Sequence, residues 1–263
     1  MSPSVEGLNL HPYLLLPGDS KRLATLLESL IRSSSSSAPP STSTSPTETT
    51  TTTTTTTTSS SPSLTPSPEL KLYSDILYAN HHSLGLSLSY KPNSKTSKLP
   101  KVIDEINWAK LKLVGVDVYN PETWKGQESK GTENKKKLEY RPFPRYPIVI
   151  SVPASAVADA PTSTTTKNTT TATSDPSSPT TVLVHPTTQA HDFTSSLGEP
   201  DRKGGGAGSM GIWCEWTQLG VMVEFASAGL EAWDKGRDVR WMVLSLFERG
   251  DEVVVEGAEA KDR

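Results

Sequence analysis

Leu77-Tyr78-Ala79-Asn80-His81-His82-Ser83-Leu84-Gly85-Leu86-Ser87-Leu88-Ser89-Tyr90 and Ile212-Trp213-Cys214-Glu215-Trp216-Thr217-Gln218-Leu219-Gly220-Val221-Met222-Val223-Glu224-Phe225 share one pattern. Laid over one another without a gap, they match apolar to apolar at each end and share Leu-Gly in the middle. Both then alternate apolar and polar residues out to an aromatic one. A period of two on either side of a glycine is the signature of two strands around a turn, so each stretch predicts a β-hairpin. Val116-Asp117-Val118-Tyr119 likewise matches Leu244-Ser245-Leu246-Phe247 by residue type, which extends the correspondence to a third strand and predicts an internal duplication.

Working outward, Leu8 to Leu16 is apolar and closed by Pro17-Gly18, which predicts a strand and a turn. Asp19 or Ser20 then caps a helix, because Leu23, Leu26, Leu27, Leu30 and Ile31 recur at spacings of three and four on one face. Strands are expected at Tyr73 to Ala79, Leu84 to Tyr90 and Leu111 to Tyr119. The stretch Tyr140 to Pro153 carries Pro142, Pro144, Pro147 and Pro153, so it is expected to be extended but to pair only at a sheet edge.

In the second half, Val182-Leu183-Val184 reads as a short strand. Thr187 or Thr188 is expected to cap a helix through Phe193 to Leu197, stopped by Gly198 and Pro200. Strands follow at Ile212 to Trp216, Val221 to Phe225 and Arg240 to Phe247. The order is helix then three-stranded meander, twice. The expected fold is therefore α+β: two helix-plus-antiparallel-meander units packed as one domain, with Leu86, Leu88, Tyr90, Val221, Val223 and Phe225 among the buried residues.

Ser/Thr/Pro-rich tracts interrupt this plan, and they lack the apolar surface to offset the entropy of ordering. The first unit spans residues 1 to 153 and contains an expected disordered insertion at 33 to 68, with an unbroken threonine run from Thr49 to Thr58. A second such tract at 154 to 180 links it to the second unit, 181 to 253, which ends in a polar tail at 254 to 263. What remains is on the order of 170 to 190 residues, enough for one well-buried core.

The chain has 26 basic and 29 acidic residues, a formal charge of -3, which gives no general electrostatic reason to bind nucleic acid. The lone Cys214 excludes an intramolecular disulfide, and residues 1 to 10 have no basic, apolar leader pattern. A reducing, cytoplasmic location is expected. No apolar run approaches the roughly 20 residues that a membrane-spanning helix needs.

Chemistry-bearing motifs are few. Gly206, Gly208 and Gly211 spell G-x-G-x-x-G, but a dinucleotide loop leaves a strand and opens a helix, whereas this one leaves a helix and opens a strand. A weaker possibility survives beside it: Arg202 and Lys203, with flexible backbone amides, as a holder of phosphate or carboxylate. Glu199, Asp201, Arg202, Lys203, Gly204, Gly205 and Gly206 are thus the candidate interaction or anion-binding loop. His81 and His82 are adjacent and would point to opposite faces of a strand, and the sequence holds no C-x-x-C or H-E-x-x-H, so no metal or cofactor is expected. Cys214 sits in an aromatic-rich strand, which favours a buried, inert thiol.

Leu197-Gly198-Glu199-Pro200, behind a helix and ahead of a strand series, resembles the L-G-x-P turn of the BamE/SmpA-type modules. The tandem arrangement, with Leu14-Leu15-Leu16-Pro17-Gly18 and the Leu84-Gly85 and Leu219-Gly220 pairs, is similar to the eukaryotic phagosome assembly factor family. The first helix departs from it, because no L-G-x-P follows Ile31. The resemblance implies a non-catalytic adaptor in autophagy or membrane trafficking that works through a protein partner and a phosphoinositide. The competing reading is a small-ligand or anion-binding protein, or an enzyme, that uses Asp201, Arg202 and Lys203 with His191.

Overall fold

The computed structural model describes residues 7–35, 67–94, 96–124, 140–152, 180–205, 211–228 and 236–249. The threonine run, the tract at 154 to 179, Gly206, Trp233 and the tail at 254 to 263 lie outside the described residues.

Among the described residues the fold is α+β, with two helices and two sheets. Its largest element is an eight-stranded antiparallel sheet built from β2 (Glu69–Leu72), β3 (Leu77–His81), β4 (Leu86–Pro92), β5 (Leu111–Tyr119), β8 (Arg202–Gly204), β9 (Gly211–Trp216), β10 (Val221–Ala228) and β11 (Trp241–Phe247). The strand order is β2-β3-β4-β5-β11-β10-β9-β8, so four strands from each half meet at the β5/β11 pair. A three-stranded sheet holds β1 (Leu8–Asn9), β6 (Ile148–Val152) and β7 (Thr180–Val184) in the order β1-β6-β7. The helices α1 (Lys21–Ser35) and α2 (Ala190–Leu197) complete the set.

Both hairpins form where the central glycine requires it. Gly85 and Gly220 adopt left-handed backbones, with φ of 60° and 63°, at the ends of single 3-10 turns, His82–Leu84 and Thr217–Leu219. Only glycine enters that region without strain. The carbonyl of Gly85 accepts from the Tyr119 amide at 3.0 Å, and the carbonyl of Gly220 accepts from the Phe247 amide at 2.9 Å. In β4 and β5 the pairing runs Leu86 with Val118 and Leu88 with Val116, then shifts between Ser89 and Tyr90. In β10 and β11 it runs Val221 with Leu246 and Val223 with Leu244, then shifts between Glu224 and Phe225. Where β5 meets β11, Val118 faces Leu244, Asp117 faces Ser245 and Val116 faces Leu246.

One hydrophobic cluster joins the inward side of the large sheet to α1 (Leu23, Leu26, Leu30), the small sheet (Ile148, Ile150, Val152, Val184) and α2 (Phe193). Leu86, Leu88, Tyr90, Val221, Val223 and Phe225 all lie in it, as alternation along the strands requires. Each such side chain contributes about 1.5 to 3 kcal/mol by leaving water.

Several elements differ from the sequence reading. Leu8 to Leu16 is not one strand: pairing with β6 stops after Asn9, whose side chain accepts from the His11 amide at 3.1 Å. Pro12 turns the chain through a 3-10 turn at His11–Tyr13, and Leu15 and Leu16 then bond to Leu113 of β5. Each half contributes four strands to the sheet, because β2 and β8 add an outer strand that its composition hides. The stretch Tyr73 to Ala79 is the turn between β2 and β3 and the start of β3, closed by the Tyr73 amide on the Ile76 carbonyl at 2.9 Å. Strand β6 is the centre of its sheet and not an edge, parallel to β1 and antiparallel to β7. Its prolines are confined to the run before Ile148 and to position 153, so the ladder keeps its donors. The second helix is capped by Gln189 and not by Thr187 or Thr188, with Asp192 reaching back to the Gln189 amide at 2.8 Å.

Candidate functional site

The stretch after α2 folds as an edge strand. The helix ends at Gly198 (φ 81°), whose carbonyl accepts from the Trp216 indole at 3.0 Å, which ties the turn to the far end of β9. Asp201 then accepts from the Thr217 amide at 2.6 Å. From Arg202 the chain pairs with β9: Arg202 with Glu215, Lys203 with Cys214 and Gly204 with Trp213. The expected loop is therefore a strand over Arg202–Gly204, which the glycine run masks in the sequence.

The two cations there are occupied. The Arg202 guanidinium lies 3.5 Å from Glu215, and the Lys203 ammonium lies 2.9 Å from Glu199, which raises its pKa. Arg202, Lys203 and Glu199 are 68%, 57% and 77% exposed, so solvent weakens both ion pairs. The glycines serve close approach. A Cβ at Gly204 would stand 2.7 Å from the Trp213 ring, and one at Gly205 (φ 84°) would collide with the Gly211 carbonyl. His191 is engaged elsewhere: its Nε2 meets Asp192 at 3.1 Å, and its Nδ1 lies 3.2 Å from the Arg237 carbonyl and 3.7 Å from Asp238. Cys214 is buried, and that burial raises its thiol pKa, which keeps it protonated.

A second polar cluster lies on the face of the sheet turned away from the core. Ser87 donates to Asn80 at 2.8 Å, and Asn80 donates to Glu69 at 3.3 Å. His82 Nε2 contacts the same Glu69 oxygen at 2.9 Å, the main reason that carboxyl is held below its usual range. Tyr140 stacks on Tyr119 with ring centres 3.8 Å apart, and Trp124 closes on Tyr119 at 4.6 Å. At the centre of the sheet, Asp117 is hydrogen-bonded to Ser245, and burial raises its pKa above the usual carboxylate range. Ser87 is bound to Asn80 and not to a histidine, so the cluster holds no Ser-His pair of the kind a nucleophile needs.

Of these residues the sequence reading singled out only His82, and only as a doubtful metal ligand. Alternation carries the missing signal. Ser87 and Ser89 sit between Leu86, Leu88 and Tyr90, Asp117 between two valines and Ser245 between two leucines, so all four occupy the face away from the core. Glu69 and Tyr140 reach them through tertiary packing.

Among the described residues no group of three or more His, Cys, Asp and Glu is placed to hold a metal ion, and no helix is long and apolar enough to cross a membrane. No family model, curated protein or solved structure matches the chain.

Proposed function

We propose that this chain is a non-catalytic adaptor, built by duplication of one unit of a helix and four antiparallel strands, that binds protein partners at the β8 edge of its large sheet. The observation that carries this reading is that edge. Among the described residues β8 pairs only with β9, so its outer backbone groups are available to an added strand, and exposed Arg202, Lys203 and Glu199 flank it. The duplication rests on the matched hairpin registers, the bulge at the same place in each, and the reciprocal pairing around Asp117 and Ser245. The resemblance to the phagosome assembly factor family and to tandem BamE/SmpA-type modules supports the further proposal of a role in autophagy or membrane trafficking, in the cytoplasm, with a phosphoinositide as a further ligand.

The alternative, an anion-binding or catalytic site at Asp201, Arg202 and Lys203, has less support. Both cations already face carboxylates, Asp201 is bound to the Thr217 amide, and His191 is committed to other groups.

The test is co-purification of the full chain with Arg202→Glu and Lys203→Glu against the unaltered protein. Loss of partners with an unchanged circular dichroism spectrum is the expected result. Identical partner lists would overturn the edge as the docking site. Flotation with phosphoinositide-containing vesicles, against vesicles of neutral lipid alone, tests the membrane part separately.

A further inference from the structure

The first half of the large sheet ends in loops that carry exposed apolar side chains. Leu72 pairs with Leu77, Leu77 with Tyr90 and Tyr90 with Leu113, and Leu113 bonds through its backbone to Leu15 and Leu16. This row crosses four strand spacings, about 19 Å. At one limit Tyr73, just after β2, is 55% exposed; at the other Leu15 is 44% exposed on a left-handed backbone (φ 64°) that leucine rarely adopts. The connection from β4 to β5 closes the same end, with Val102 and Ile103 51% and 41% exposed. Among the described residues these four are the exposed large hydrophobic ones. Scattered singly they would need no explanation, but here they gather at one end of the sheet.

The β4 to β5 connection holds its tip in water. Leu99 is buried, and Ile106 and Trp108 pack against the core. Trp108 stands edge-on to Tyr90 at 5.3 Å, and its carbonyl accepts from the Gly18 amide at 3.2 Å. Val102 and Ile103 lie between these anchors and stay exposed, although apolar neighbours on both sides turn inward. The same stretch is cationic in a chain of net charge -3: Lys91 to Lys112 carries six lysines against Asp104 and Glu105. Lys91, Lys98, Lys101 and Lys110 are exposed. Lys91 and Lys112 face one another across β4 and β5, a like-charge pairing that costs stability, and Lys112 reaches Glu248 only at 3.9 Å.

Apolar tips among lysines fit a partner that is negative at its face and apolar beneath it. Nucleic acid would use the lysines but gain little from Val102 and Ile103, which offer no ring for a base to stack on. We infer that this end of the sheet docks on anionic lipid bilayers, with Val102 and Ile103 entering the interface while Lys98, Lys101 and Lys110 meet the headgroup charge. Docking here is independent of the adaptor reading, which uses β8 at the far edge of the sheet, and it needs negative surface charge, not a particular headgroup.

The test is sedimentation of the full chain with three kinds of vesicle: phosphatidylcholine alone, phosphatidylcholine with phosphatidylserine, and phosphatidylcholine with a phosphoinositide at matched surface charge. Binding to both negative vesicles and not to the neutral one is expected. It should weaken steeply on raising salt to about 0.5 M, where charges are screened within a few ångströms. Lys98→Gln with Lys101→Gln should lower the affinity about 25-fold, roughly fivefold for each charge. Val102→Ser with Ile103→Ser should lower it about tenfold or more. Both pairs change exposed residues, so circular dichroism and the denaturation midpoint should stay as in the unaltered protein. Arg202→Glu with Lys203→Glu should leave vesicle binding in place, which separates this test from that of the β8 edge. No sedimentation with phosphatidylserine vesicles, equal sedimentation with neutral ones, or an affinity unchanged in either double variant of the β4 to β5 connection would overturn the inference. Binding confined to the phosphoinositide would also overturn it, while sustaining a headgroup-specific site. Tighter binding of a single-stranded oligonucleotide than of phosphatidylserine vesicles, indifferent to Val102→Ser and Ile103→Ser, would identify nucleic acid as the partner and overturn it as well.

Discussion

Asp117 and Ser245 face one another across β5 and β11, and the pairs on either side of them are reciprocal: Val118 with Leu244, and Val116 with Leu246. The single carboxylate at this centre is hydrogen-bonded to the serine and has a raised pKa, because leaving water disfavours its charge. The junction between the two halves is thus a place where a charge costs stability.

Replacement of Asp117 by Asn tests that cost. A carboxyl whose pKa is raised on folding contributes stability below its unfolded pKa and loses it as pH rises through the folded value. Asp117→Asn keeps the shape and the bond to Ser245 without the charge, so it should stabilise the protein by about 1 kcal/mol at neutral pH. The gain should vanish in acid. Chemical denaturation of both proteins across that pH range checks it.

His81 has the opposite sign. Burial, and then the neighbouring His82, push it down from the ordinary histidine value to about 4, so the folded protein holds it neutral while the unfolded chain protonates it near 6.5. Stability on this account is present above 6.5 and is lost as pH falls from there to about 4. The loss should be about 2 to 3 kcal/mol. His81→Gln should flatten that part of the stability profile measured by urea denaturation.

The glycines separate into costly and tolerant ones. At Gly85 and Gly220 a methyl group would collide with the Arg141 and Phe247 carbonyls, on backbones already left-handed. Gly198 has φ 81° and ψ −169°, a backbone outside the left-handed helical region that essentially only glycine adopts, but nothing lies within 4 Å of its would-be Cβ. Alanine should cost about 2 to 4 kcal/mol at either hairpin glycine, from strain and collision together, and about 1 to 3 kcal/mol at Gly198, from backbone strain alone, read as shifts in denaturation midpoint.

Asn120 is fully buried just after β5, and its amide donates to the Pro186 and Trp241 carbonyls at 2.8 Å each. Its Oδ1 accepts from the Glu122 amide at 3.0 Å, so one side chain joins β5, the approach to α2 and β11. Asn120→Ala leaves three polar backbone groups without this partner and should cost about 3 kcal/mol in equilibrium unfolding. Little change would mean that water takes its place.

The hairpins and the core were legible because their signals are local. Leu-Gly between alternating runs demands a turn with a left-handed residue, and the alternation of Leu86, Ser87, Leu88 and Ser89 decides which side meets the core. The amphipathic first helix was legible for the same reason. Strands β2 and β8 were not: Glu69–Leu72 and Arg202–Gly204 are short and polar, and an outer strand is defined by the partner it finds more than by its own composition. The same holds for β6, whose prolines marked it for an edge until the pairing showed Pro142, Pro144 and Pro147 to precede the ladder. At the candidate loop, the ion pairs of Arg202 with Glu215 and of Lys203 with Glu199 were not legible either, since they form only once the strand is paired.

By itself the sequence determined the α+β class, the two glycine-centred hairpins and the apolar residues that face inward, because turn geometry and side-chain periodicity act over a few residues. Tertiary structure alone decided that β5 and β11 join the halves through Asp117 and Ser245, and that β6 lies at the centre of a second sheet. Strand pairing depends on contacts between residues far apart along the chain, and no local pattern encodes it.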